Sequence, residues 1–126
     1  PVIVNKPAGE IFNFLKDFNN YRELMPEQVV RWESDETSGR FTIRDMAEIG
    51  MRIREAHPDD HVLIGSDGKV PFEFTLRMAI ERKGDGQSVV QVFFDGEVSP
   101  FISMVARRLL TNLVNHMAER IRQLHE

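Results

Sequence analysis

The last quarter of the chain, Ser99 to Glu126, constrains the fold most. Apolar residues recur there at steps of three and four: Phe101, Val105, Leu109, Leu113, Met117, Ile121 and Leu124. That spacing predicts one face of an amphipathic helix. Ser99 suits an N-cap and Pro100 a first helical turn. Arg107, Arg108, Glu119, Arg122 and Gln123 occupy the opposite side. At the usual rise the helix is about 38 Å long, against a radius of gyration of about 14 Å for a chain of this size. It must cross the whole molecule. Most of what precedes it reads as strand, so its apolar face needs a curved sheet as partner.

The chain before the helix supplies that sheet. Pro1 to Asn5 reads as the end of a strand. Pro7 opens a helical segment in which Ile11, Phe14, Leu15 and Phe18 share a face. Asn19-Asn20 breaks it, and a short helical turn carries Tyr21 to Met25. From Val29 the period becomes two, the signature of strands. Val30 and Trp32 alternate with Arg31 and Glu33. Asp35 to Gly39 is a turn. Phe41, Ile43, Ala47, Ile49, Met51 and Ile53 fall on one alternation. Asp45 lies on its apolar side, which predicts a bulge or tight turn that makes this stretch one bent strand or two short ones. His57 to Asp60 and Ser66 to Gly68 are turns around a short strand, Val62 to Ile64. Phe72, Phe74, Leu76, Met78 and Ile80 face inward on the next strand. Lys83 to Gln87 is a hairpin, and Val90, Val92, Phe94 and Val98 face inward on the last strand. Consecutive strands joined by short turns predict an antiparallel meander in an α+β fold.

With 126 residues the chain suffices for one core, and a single domain over 1–126 is expected. It opens at Pro1 directly into a strand, so a few residues are expected upstream. The net charge of −4 argues against a nucleic-acid partner. There is no cysteine, which removes disulfides and thiolate metal sites and fits a cytoplasmic protein. No apolar run approaches the roughly 20 residues of a membrane span.

A twisted antiparallel sheet cannot be filled evenly by one long helix. Close contact at one end leaves a gap elsewhere, lined by phenylalanine, methionine and Trp32. Gaps of about 300–1,000 Å³ with apolar walls bind small molecules, and methionine adapts to a variable guest. The segment Lys6 to Tyr21, then Leu24-Met25-Pro26 before the strand with Trp32, and Phe93 to Pro100 leading into the last helix carry a family likeness. Together they resemble the START-like, polyketide-cyclase-like (SRPBCC) superfamily over nearly the whole chain. The resemblance implies a helix-grip fold, a bent antiparallel sheet around a long C-terminal helix. It further implies binding of lipids, polyketides or other apolar ligands, with a minority of members being enzymes. Similar sequences often carry glycine where this one has Asp45.

The expected function is therefore binding of a small hydrophobic molecule. Trp32, Phe41, Ile43, Met51, Phe72, Phe74, Leu76, Phe101, Val105 and Leu109 are expected to line the site, with Asn112 or Arg108 as a polar group at its mouth. Asn112, His116 and Arg120 form a boundary row along the helix, for which solvation is the commoner fate. One alternative is a cyclase, dehydratase or hydrolase, in which His116 would need Asp45 or Glu48 as partner. Another is an interaction module with a filled core. Phe93 points away from the core and is a candidate homodimer contact. His57-Pro-Asp-Asp-His61 has the residue types of a metal site. Residues four apart across a hairpin need not converge, however, and Pro-Asp-Asp is turn chemistry; no metal or cofactor is expected. No nucleophile elbow or phosphate loop is present.

Overall fold

The computed structural model describes residues 1–44, 47–68, 70, 73–96 and 104–126, without the side chains of residues 104–106 and 109. The elements run β1 (Val2–Val4), α1 (Ala8–Leu15), a 3₁₀ segment (Phe18–Leu24), β2 (Val29–Ser34), β3 (Ser38–Ile43), β4 (Ala47–His57), β5 (His61–Ser66), β6 (Phe74–Arg82), β7 (Ser88–Gly96) and α2 (Met104–Leu124). Among the described residues seven strands form one sheet in the order β1-β7-β6-β5-β4-β3-β2. Every neighbouring pair is antiparallel. Strands β2 to β7 are the expected meander. β1 instead joins the far edge beside β7, so α1 and the 3₁₀ segment carry the chain from one edge of the sheet to the other.

Local chemistry sets most boundaries. Asp35 Oδ1 accepts the amides of Thr37 and Ser38 at 2.9 and 2.8 Å, closing the β2–β3 turn. Those two bonds hold its carboxyl below the usual carboxylate range. The β6–β7 hairpin turns on Gly84 and Gly86, both at positive φ, and Lys83 N–H donates to Gln87 at 2.9 Å. Residues 38–57 form two strands, β3 and β4; Asp45 lies outside the described residues.

Among the described residues two bulges alter the expected alternation. In β2 the register shifts between Val30 and Glu33, where Arg31 takes a φ of 55°. In β4 it shifts between Ile53 and Glu55. A bulge inserts one unpaired residue and moves all that follows to the other face. Ile53 is paired with buried Ile64, but Glu55 is paired with Leu63 and His57 with His61. Glu55 and His57 would have continued the inward row of Ile49, Met51 and Ile53; the bulge puts them on the outer face. His57 and His61, which need not converge, do so here as direct cross-strand partners.

The core lies between the sheet and the helices. Val4, Ile11, Leu15, Phe18, Tyr21, Leu24, Met78, Val90, Met117 and Ile121 are fully buried. Tyr21 donates its hydroxyl to Leu15 O at 2.8 Å, and burial pushes its phenol pKa far up. Phe18 stacks on Tyr21 and on Trp32, and Trp32 on Phe41, with centroids 4.9, 5.5 and 5.1 Å apart.

Among the described residues helix α2 runs for 21 residues, about 31 Å. The expected cap Ser99-Pro100 and the apolar Phe101 lie outside the described residues. The far end of the stripe also differs. Leu124 is exposed and His125 is buried in its place. From Ile121 the apolar row could continue by a step of three or of four. The step of four puts His125 edge-on against Phe14, centroids 4.8 Å apart, where its Nδ1–H donates to Ile121 O at 2.7 Å. Among the described residues no helix is long and apolar enough to cross a membrane.

Candidate ligand-binding site

The two halves of α2 sit differently. Leu113, Met117, Ile121 and His125, spaced by four, are buried against the core. Arg120 Nε donates to Glu23 O at 3.1 Å, tying this half to the 3₁₀ segment. Towards the N-terminus Leu110 and Val114 are half-buried, and Thr111, Asn112 and Asn115 are exposed.

A groove opens along each flank of this looser half. One has a volume of about 410 Å³ and is lined by Pro26, Glu27, Gln28, Val29, Ile43, Asn112, Leu113 and His116. The other has about 330 Å³ and is lined by Phe94, Arg107, Leu110, Thr111, Val114 and Asn115. Between them, beneath the helix, lies an apolar void of about 10 Å³, walled by Ile43, Ile49, Met51, Phe74, Leu76, Phe94, Leu110, Leu113 and Val114. Its walls are shared with both grooves. That void is no larger than one water, for which an apolar lining offers no partner. Both grooves fall in the usual size range of ligand sites. Two open grooves thus flank a small apolar void that shares walls with both.

The expected site residues divide accordingly. Ile43, Met51, Phe74 and Leu76 wall the void, and Asn112 lines the larger groove. Trp32 and Phe41 belong to the aromatic stack and line neither groove nor void. Arg108 is exposed and also lines none of them; its neighbour Arg107 takes the position at the smaller groove. Phe72, Phe101 and the side chains of Val105 and Leu109 lie outside the described residues. Leu110 and Val114 were missed. The doublets Leu109-Leu110 and Leu113-Val114 widen the apolar stripe and were the available signal.

His116 lines the larger groove, and of its two proposed partners Glu48 is not beside it. Glu48 alternates with buried Ile49 and so faces outward, where it pairs with Arg40 at 2.9 Å. Asp45 lies outside the described residues. Phe93 is on the outer face as expected, and the Arg77 guanidinium covers its ring at 4.5 Å.

An open antiparallel sheet holding a C-terminal helix across its core face is the START-like, helix-grip class of fold. The chain belongs to the family described as polyketide cyclase / dehydrase and lipid transport, whose model matches residues 1–126. A START superfamily protein from Mycobacterium smegmatis is similar in structure, with a TM-score of 0.73 and 17% identity over 98% of this chain and 92% of that one. A protein from Bacillus thuringiensis gives 0.71 and 9% over 98% and 94%. One from Chromobacterium violaceum gives 0.68 and 13% over 99% and 93%. No curated protein sequence matches the chain significantly.

Proposed function

We propose that the protein binds a small apolar molecule, a lipid, polyketide or aromatic metabolite, beneath the N-terminal half of α2. The observation that carries this reading is the apolar void under the helix, whose walls are shared with two grooves of ligand size. Burial of ligand surface supplies about 25 cal/mol per Å², less the cost of association. The firmly seated half of α2 is the fixed end, and Leu110 and Val114 yield as the void widens. Met51 adapts its shape to the guest. Asn112 and His116 orient a polar end in one groove, and Arg107 meets a carboxylate in the other.

Native mass spectrometry and thermal shift against fatty acids and fused-ring aromatic acids test the reading. The expected result is a saturable one-to-one complex that Val114→Trp abolishes while the variant stays folded. No complex with any member of the panel, or complexes indifferent to Val114→Trp, would sink it. The family description also carries a cyclase or dehydrase reading, for which His116 in the larger groove is the group to test. Product formed by the wild type and lost in His116→Ala with binding retained would establish it.

A further inference from the structure

We propose that the outer face of the β4–β5 hairpin is a divalent transition-metal site, with Glu55, His57 and His61 as ligands and Zn²⁺ as the ion its chemistry suits best. This site lies on the face of the sheet away from the void and is independent of the ligand-binding reading.

The hairpin builds the cluster in two steps. Asp59 adopts a φ of 59°, a left-handed conformation that aspartate tolerates, and Asp60 N–H donates to His57 O at 3.1 Å. That turn sets His57 opposite His61, with ring centroids 4.6 Å apart. The bulge after Ile53 then brings Glu55 onto the same face. Glu55 Oε2 lies 3.5 Å from His57 Nε2 and 3.7 Å from His61 Nε2. One ligand atom from each of the three falls within 4.8 Å of the others. Two ligand atoms on a tetrahedral zinc are about 3.3 Å apart, given bonds of about 2.0–2.1 Å. Small rotamer adjustments close the difference.

The surroundings favour a metal over a plain ion pair. His61 Nδ1–H donates to Asp60 Oδ2 at 2.8 Å, which leaves the Nε2 lone pair facing the cluster. A carboxylate behind a ligating imidazole fixes its tautomer and raises its basicity. The His61 side chain is 20% exposed and acts as the anchor, whereas His57 and Glu55 are 57% and 54% exposed and free to swing in. Two imidazoles and one carboxylate suit zinc and its neighbours rather than calcium or magnesium, and leave a fourth position for water.

The test is calorimetric titration of the untagged chain with Zn²⁺, with Co²⁺ absorption to report geometry. One equivalent should bind with micromolar affinity or better, and Co²⁺ should give a tetrahedral spectrum. His57→Ala and His61→Ala should abolish binding without unfolding the protein, judged by circular dichroism. Asp60→Asn should weaken it about 10–100-fold, as loss of an outer-shell partner does. His116→Ala should leave it unchanged. Absence of binding at millimolar Zn²⁺, or binding that survives both hairpin histidine substitutions, would overturn the proposal.

Discussion

Ile43 of β3 and Leu113 of α2 wall both the void under the helix and the larger groove beside it. They stand where groove and core meet, so Leu113 is at once a groove wall and a core residue. Leu113→Ala should destabilise the fold by about 2–5 kcal/mol, the usual effect of emptying a buried leucine site. It should also raise uptake of an apolar fluorescent probe. Urea unfolding and probe titration on one preparation check both; unchanged stability would contradict the seating of α2.

Gly50 in β4 has no room for a side chain. A Cβ there would lie 2.3 Å from Asp67 O. The opposing backbone is pinned, because Asp67 N–H donates to Gly50 O at 2.8 Å. Gly50→Ala is expected to cost about 1–3 kcal/mol through forced backbone shifts. Gly9→Ala in α1 makes only ordinary contact, at 3.5 Å from Asp59 Oδ1, and should stabilise by up to about 1 kcal/mol. Denaturant midpoints of the two variants should therefore move in opposite directions.

The end of α2 offers a direct comparison between neighbours. His125→Ala removes the edge contact to Phe14 and the bond to Ile121 O, and should cost about 1–3 kcal/mol. Leu124→Ala, at an exposed position, should change stability by less than about 0.5 kcal/mol. The reverse order in thermal unfolding would restore the stripe that the spacing of three implied.

Asp35 gives a pH signature. Its folded pKa is lowered by the amides of Thr37 and Ser38. A depressed carboxylate stabilises the fold above its unfolded pKa of about 3.9 and loses that contribution as pH falls through the lower folded value. Asp35→Ala should be less stable than wild type at neutral pH, and the gap should narrow on acidification below that range. Urea midpoints at neutral and strongly acidic pH measure it; a constant gap would show that the charge is not involved.

The strands, their turns and the long helix were legible because they rest on local rules. Alternation at Phe74, Leu76, Met78 and Ile80, the glycines after Lys83 and the four-residue row Leu113-Met117-Ile121 each need only a few neighbouring residues. The bulge at Arg31, which puts Val29 rather than Val30 on the inner face with Trp32, has no marker in composition. Spacing alone ranks Leu124 above His125 on an apolar face, whereas the contact with Phe14 seats the histidine.

By itself the sequence determined the order of elements, the antiparallel character of the sheet and which helix face turns inward, since these follow from side-chain periods of two and 3.6. Only the tertiary structure decided that Glu55 and His57 leave the inward row to meet His61, and that α2 sits tightly at one end and loosely at the other. The physical reason is that register and seating depend on how distant segments pair, and one unpaired residue after Ile53 reverses the face of every side chain that follows it in β4.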